Sequence, residues 1–362
     1  MTSEKKTVCF FNSNKAWGGG EKWHLTTCKE LQRRGYNSFL VTNVSSKLAH
    51  QGIAEHLNVF SFYINNLSFL NPFKILTLAA LFKTQKINSI ILNLPADLKV
   101  AGIAAKLVGV KKIIYRRGMP HPLKNTWLNR MLFKHILTDV IVNSEEIGRS
   151  LKTGNEDWFP GQKMSLIYNG VDSAKPISHQ NKLYTKINDE LVLGNAGRLT
   201  EQKGQKYLIE MARLLKKRGI NFKLLIAGEG ELESSLKKQI EILDLNNEVV
   251  LLGHVQDMTA FLNSLDIFIF TSLYEGSANT LIETLQHGIP TIAFDISSNP
   301  EIIEHGKTGL LAKPFEISEL VACVEKIKND QELRNHLIET GQQVVKNKFD
   351  NQINFKKLEG LV

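Results

Sequence analysis

Cysteine is scarce in this 362-residue chain: Cys9, Cys28 and Cys323 are odd in number and form no CxxC spacing. That excludes a disulfide framework and a clustered-thiol zinc site, and leaves three buried thiols as the expectation. Long apolar runs are missing as well. The longest, residues 75–82, falls far short of the roughly 20 residues that a membrane-crossing helix needs. Residues 1–6 lead straight into the β-prone Thr7-Val8-Cys9-Phe10-Phe11 with no signal-peptide core, so a cytoplasmic protein is expected. DxD and HExxH are both absent, and neither a metal nor any other cofactor is expected. No nucleic-acid-binding module is recognisable, and nucleic acid is not expected as a partner.

What is present describes a globular enzyme-sized chain. Hydrophobic residues make up 43% and charged residues 22%, the balance of a packed soluble fold. The length is too great for one ordinary core and suits two domains of about 150 to 200 residues. β-prone runs fall at 7–11, 38–42, 59–62, 89–93, 112–115 and 140–143, and again at 191–196, 222–227, 249–252, 267–271, 291–294 and 309–312, with helical patterns between them. Such alternation implies α/β architecture with parallel sheets and right-handed crossovers. The stretch 171–189 holds Pro176 and several Ser, Asn and Lys residues without periodicity, which places the linker there. The expected domains are 1–175 and 176–347, with a terminal helix over 349–361, in the tail 348–362, returning to the first.

Chemistry concentrates in the second half. Glu275 and Glu283 have seven residues between them in TSLYEGSANTLIETLQHGIP. The run 265–271 reads as a strand and 280–287 as a helix, so 276–279 forms the turn and Glu275 stands at the strand mouth. Glu283 then lies about one turn inside the helix. The backbone N–H groups of such a helix start favour an anion, and a carboxylate beside them suits sugar hydroxyls. Ser277 or Asn279 is the expected cap. Arg198, in Gly197-Arg198-Leu199, and Lys203, in Gln202-Lys203-Gly204, flank a second strand-to-helix turn, with a helix expected over 203–217. A planar guanidinium and a compact ammonium there could neutralise a diphosphate.

Asn169-Gly170-Val171-Asp172, Gly197-Arg198-Leu199 with Gln202-Lys203-Gly204, Leu225-Ile226-Ala227-Gly228-Glu229-Gly230, Leu252-Gly253, and Glu275 to Glu283 follow one another in an order that resembles the retaining glycosyltransferases of the GT-B fold, family 4. Trp17-Gly18-Gly19-Gly20-Glu21 is similar to that family's glycine loop. The resemblance implies two Rossmann-like domains facing a cleft and a C-terminal helix, anchored by Phe355 and Leu358, crossing back to the first. It implies transfer of a hexose-type sugar from a nucleoside-diphosphate sugar, with UDP or GDP as the nucleotide and anomeric configuration retained.

By the same resemblance, Arg198 and Lys203 stabilise the leaving diphosphate, Glu275 contacts the donor sugar and Glu283 binds the ribose. Backbone groups of Gly276, Ser277, Ala278, Asn279 and Thr280 hold phosphates or sugar, and those of Gly18, Gly19 and Gly20 close the site. The base is expected near Gly228, Gly230, Gly253, His254 and Val255. Two departures stand out. Many relatives carry a histidine where this chain reads Tyr115-Arg116-Arg117-Gly118-Met119-Pro120-His121, making Arg116, Arg117 and His121 the acceptor-side candidates; in that histidine's place Arg117 would bind an anionic acceptor or the donor phosphate, and the alternative is a solvated loop. Relatives often have two glycines where Ile296-Ser297-Ser298-Asn299-Pro300-Glu301 stands.

The net charge of +9 points to an acidic partner surface. Residues 123–137 place Trp127, Leu128, Met131, Leu132 and Phe133 against Lys124, Arg130 and Lys134. That pattern fits either an anionic inner-membrane surface or an ordinary core-facing helix. Residues 64–86 pose the same choice. The expected acceptor is a glycan or a lipid-linked glycan of the bacterial envelope, as in lipopolysaccharide or surface-polysaccharide assembly. A sugar-nucleotide 2-epimerase and a non-catalytic binding protein on the same fold are the other classes these motifs allow.

Overall fold

The computed structural model describes residues 6–362. Strands β1 Thr7–Asn12, β2 Asn37–Asn43, β3 Val59–Phe62, β4 Ser89–Leu92, β5 Lys112–Arg117, β6 Asp139–Val142 and β7 Met164–Leu166 form one sheet. Its order is β3-β2-β1-β4-β5-β6-β7. Strands β8 Leu191–Ala196, β9 Phe222–Ala227, β10 Val249–Gly253, β11 Ile267–Phe270, β12 Thr291–Phe294 and β13 Leu310–Ala312 form the other, in the order β10-β9-β8-β11-β12-β13. Every strand pair in both is parallel. Both orders reverse direction beside their first strand, as doubly wound nucleotide-binding sheets do, and ligands of such sheets sit at the carboxyl ends of the strands near that reversal.

The chain divides into two compact units. One comprises the described residues to Tyr168 together with Asn354–Val362, and the other is Asn169–Ile353. In the first, alternate residues of β1 feed opposite cores. Val8 and Phe10 pack with Leu25, Cys28 and Leu31 of the helix Gly19–Arg33, whereas Cys9 and Phe11 join Phe39, Tyr115 and Phe133. A sheet covered on both faces needs this continuous apolar run, since successive side chains point to opposite sides. Leu358 of the C-terminal helix Asn351–Glu359 is buried in the first of these cores. Phe355 is only half-buried, with the Arg34 guanidinium 5.5 Å from its ring centroid. Of the three thiols, Cys9 and Cys28 are buried, but Cys323 is partly exposed.

The second unit packs Leu193, Ile226, Ile267, Ile269 and Phe294 against Leu208, Ile209, Ala212 and Leu215, the apolar stripe of the helix Gln205–Lys217. Each such aliphatic or aromatic side chain contributes about 1.5–3 kcal/mol on full burial. The segment after Asn169 is tied to this unit by Leu183 and Tyr184 N–H groups donating to Ser264 Oγ at 2.9 and 3.0 Å.

Local structure departs from the sequence reading in four places. β7 is an added strand, three residues long. Residues 123–137 form a short helix, Trp127–Met131, that widens into a π-helical turn at Leu132–Ile136. This turn buries Leu132 and Phe133, which favours the core-facing reading for those two, while Trp127 is 77% exposed. Lys203 closes a 3₁₀ turn, Glu201–Lys203, rather than opening the following helix. Gly204 lies between them at φ +65, where an added Cβ would come within 2.4 Å of the Thr271 carbonyl. Finally, Ala278 is the N-cap of the helix Asn279–Gln286 and supplies no side-chain cap, displacing both Ser277 and Asn279 from that role.

Candidate active site

Strand order brings the predicted residues of the second unit to one edge of the sheet. β8 is central, so its turn touches the turns of both neighbours. On one side, Gly197 N–H donates to Ala227 O and Leu199 N–H to Glu229 O, both at 2.9 Å. Gly228, at φ +141, would place a Cβ 1.9 Å from Gly197 O. Glycine is therefore required there by backbone approach alone. Gly228 N–H donates to Gly253 O at 2.7 Å, and His254 N–H to Glu229 Oε1 at 3.3 Å. The two glycine turns at 228–230 and 253–255 are thus adjacent, as the proposed base-binding position needs.

On the other side the β8 turn is clasped to the β11 turn. Gln202 Nε2 donates to Tyr274 O at 2.8 Å, Leu273 N–H to Gln202 O at 2.8 Å, and Thr271 Oγ1 to Lys203 O at 3.1 Å. Within this frame Lys203 Nζ lies 2.6 Å from Glu275 Oε1, with side chains 17% and 10% exposed. The Arg198 guanidinium, from the same turn, is exposed, while its carbonyl is fixed by Gln205 Nε2 at 2.9 Å. Two cations and a carboxylate thus sit at adjacent strand mouths. Glu283 occupies the fifth position of the helix Asn279–Gln286 and is half-buried. Gly276 and Ala278 are buried, and Ser277, Asn279 and Thr280 are partly exposed. Asn279 Oδ1 accepts from Asn169 Nδ2 at 2.9 Å and from Ser277 Oγ at 3.3 Å.

A contact that sequence reasoning missed supports Glu275 from behind. Ser297 Oγ accepts the Glu275 N–H at 3.1 Å and donates back to its carbonyl at 3.2 Å, with Ser298 Oγ 3.4 Å from that carbonyl. Ser297 has φ +57. The residue that departs from the glycine pattern thus has a left-handed backbone and supplies a hydroxyl latch.

The first unit handles its charges differently. Gly18 is the N-cap of the helix Gly19–Arg33 and, like Gly19, is exposed, whereas Glu21 is buried and accepts from Asn12 Nδ2 at 3.1 Å and Asn14 Nδ2 at 3.0 Å. Gly20 is close to Asn93, whose amide would be 3.2 Å from an added Cβ. Arg116 and Arg117, grouped together from sequence, separate. They are consecutive on β5, so their side chains take opposite faces. Arg116 is 1% exposed with its guanidinium carbon 4.4 Å from the Trp23 ring centroid. Burial lowers its pKa to about 10, against the opposing pull of Glu21. It is an interior residue, neither loop-solvating nor available to an acceptor. Arg117 is half-buried and donates to Tyr115 Oη at 3.2 Å and His121 O at 2.9 Å. His121 is exposed and contributes its carbonyl. Two further buried titratable groups escaped the sequence reading: His24, lowered to about 3 by burial and by Arg116, and Asp97, raised to about 7 by burial despite N–H donors from Ser13 and Leu94.

Among the described residues no group of three or more His, Cys, Asp or Glu could hold a metal ion. No helix among them is long and apolar enough to cross a membrane. A cavity of about 630 Å³ between the helices Gln205–Lys217 and Glu233–Ile242 contains none of the predicted site residues.

A doubly wound parallel unit of this kind places its ligands at the carboxyl ends of the central strands, where Arg198, Lys203 and Glu275 stand. Residues 17–175 match the model "Glycosyltransferase Family 4" and residues 179–344 match "Glycosyl transferases group 1"; the chain belongs to the family 4 glycosyltransferases of GT-B fold. It is 30% identical to the capsular polysaccharide biosynthesis glycosyltransferase CapM of Staphylococcus aureus, over 62% of this chain and 61% of CapM. The aligned stretch therefore spans less than two thirds of that relative. A glycosyltransferase of Haemophilus influenzae, itself uncharacterized, is 26% identical over 91% of this chain and 92% of its own. The structure of Anabaena Alr3699/HepE in complex with UDP and glucose superposes with a TM-score of 0.81 at 20% identity, covering 98% of both chains.

Proposed function

We propose that this protein is a retaining, metal-independent hexosyltransferase that takes its sugar from UDP or GDP and delivers it to a glycan or lipid-linked acceptor in bacterial surface-polysaccharide assembly. The observation that carries the reading is the Lys203–Glu275 pair at 2.6 Å, joined by the exposed Arg198 of the same turn. Breaking the anomeric carbon–oxygen bond leaves negative charge on the diphosphate and positive charge on the sugar. Cations already fixed where that charge develops lower the barrier without reorganising. Arg198 offers a fork to two phosphate oxygens and Lys203 a point charge. Glu275, held through its backbone by Ser297 and Ser298, meets the donor sugar, and Glu283 the ribose. The capsular-polysaccharide role in the name of the Staphylococcus relative and the UDP and glucose bound by the Anabaena protein support this assignment of pathway and donor. The protein acts as a soluble or inner-membrane-peripheral enzyme of the cytoplasm in this reading.

The test is a thermal-shift screen against UDP, GDP, ADP, CMP and their sugar conjugates, with and without divalent metal. A ligand that binds only the folded state raises the melting temperature by mass action. A selective, metal-indifferent rise with one nucleotide sugar, lost in Lys203→Ala, is expected. No response to any of them, or a response only with metal, would overturn the donor assignment.

A further inference from the structure

The first unit contains a second concentration of positive charge, in a cavity beside the carboxyl end of β5. A cavity of about 250 Å³ is lined by Lys99, Tyr115, Arg117, Lys124 and Asn129 over a floor that includes Phe133. All three charged side chains in its lining are cations, and none of them forms a salt bridge among the described residues. Arg117 is held in place by Tyr115 Oη and His121 O, yet its buried Nε has no hydrogen-bond partner among the described residues. A buried donor left unmade is costly, and because this nitrogen is closed off by its surroundings an anion in the cavity would meet the terminal Nη groups, with Nε satisfied only if the guanidinium turns toward it. Lys99 Nζ lies 5.3 Å from the Phe69 ring centroid, which holds the ammonium without neutralising it.

The walls are unusual too. Leu98 and Lys99 belong to one π-helical turn, Leu98–Gly102, and Leu132 and Phe133 to another, Leu132–Ile136. Such turns are rare, distort an otherwise regular helix and recur at functional sites. The cavity opens at the carboxyl end of β5, where parallel sheets bind ligands. Its volume lies below the roughly 300–1,000 Å³ of pockets that enclose a whole small molecule, which suits one charged group with its remainder outside.

We propose that this cavity binds the phosphate or diphosphate group of the acceptor substrate, with Arg117 as its bidentate contact and Lys99 and Lys124 as its charge partners. The proposal rests on the glycosyltransferase reading for the word acceptor, but not for the anion site itself. A phosphate-bearing acceptor can be a lipid headgroup or a free phosphorylated glycan, and the chemistry at the cavity is the same.

The experiment uses inorganic pyrophosphate, titrated calorimetrically into the full chain carrying Arg198→Ala and Lys203→Ala, so that the donor-side cations cannot contribute. Binding is expected to persist there and to weaken about tenfold or more when Arg117→Ala or Lys99→Ala is added, because each removes a charge-assisted contact. Lys124→Ala, at an exposed position, provides a variant whose folding is not in question, and Arg117→Lys should recover part of the affinity. Phosphatidylcholine vesicles containing phosphatidic acid then identify the source: competition with pyrophosphate points to a lipid-borne phosphate, and indifference to a free one. Absence of pyrophosphate binding, or binding indifferent to all three substitutions, would overturn the proposal. A UDP-glucose thermal shift in the Arg117→Ala single variant reads the donor assignment separately, so either can fail alone.

Discussion

The two units share a strand order, yet they place ionisable groups in opposite ways. In the second, Arg198, Lys203 and Glu275 stand at the mouths of β8 and β11, Arg198 exposed and the other two closed on each other as an ion pair with side chains 17% and 10% exposed. In the first, Glu21, His24, Asp97 and Arg116 lie behind the corresponding turns, all nearly inaccessible. A charge at a strand mouth can meet a ligand at little desolvation cost. A charge behind it can only shape the loop, and its burial makes the loop's geometry costly to change. One layout therefore leaves charges at the strand mouths in one unit and behind the turns in the other, with half-buried Arg117 and its cavity as the first unit's counterpart.

The sharpest way to break this comparison is Arg116→Ala. Removing the interior guanidinium leaves Glu21 buried beside an emptied site, and the expected loss is about 3–5 kcal/mol. All four tryptophans, Trp17, Trp23, Trp127 and Trp158, belong to the first unit, so urea unfolding followed by their fluorescence reads that unit alone. A loss below about 1 kcal/mol would make Arg116 an ordinary surface-like charge. Lys203→Ala should do the reverse. Turnover is expected to fall about 10²–10³-fold, as for loss of one preorganised transition-state contact, a larger effect than the destabilisation from leaving Glu275 without its partner; full activity in a folded variant would place the phosphate elsewhere.

Smaller effects sharpen the second unit's internal division of labour. Glu283→Ala is expected to weaken nucleotide-sugar binding more than tenfold, the value of one charge-assisted contact of roughly 1.5–3 kcal/mol. Unchanged affinity by calorimetry would remove the ribose role. Ser297→Ala deletes the hydroxyl latch on Glu275 and should lower kcat several-fold, matching a hydrogen bond of about 1 kcal/mol, while nucleotide affinity stays put. A fall in affinity without a change in kcat would mean that the latch positions the phosphate turn instead.

The placement of Lys203 and Glu275 at neighbouring strand ends was legible in the sequence because turn chemistry is local. Glycines beside charges, between a β-prone run and a helical stripe, fix where Lys203 and Glu275 stand. The buried charges of the first unit were not, because a polar residue in a helix, as for Glu21, His24 and Asp97, or in a strand, as for Arg116, carries no mark of whether its face will be covered. Parity offered one usable signal. Arg116 shares the face of Ile114, which is buried against Phe10 and Leu25, whereas Arg117 shares that of Tyr115, so counting by two separates the pair. Nothing local announces the Ser297 latch, which joins residues 22 apart, or the two π-helical turns.

The last expected effect concerns the titration of the buried groups of the first unit. Asp97 is raised from 3.8 to about 7, so between those values the folded state holds a proton that the unfolded state releases. Its contribution to stability is complete below the unfolded pKa and lost as pH rises through the folded one. His24 is lowered from 6.5 to about 3, so its contribution has the opposite slope, present above 6.5 and lost as pH falls toward 3. Across the window from about pH 4 to 6.5 the two slopes oppose each other. Asp97→Asn keeps an acceptor oxygen for the Leu94 and Ser13 N–H groups while removing the titration. In that variant, tryptophan-detected stability of the first unit should rise with pH across the window, where the wild type is flatter, and should lose the wild-type decline toward neutral pH. Identical pH profiles for the two proteins would mean that Asp97 ionises normally, and that its surroundings are wetter than its burial implies.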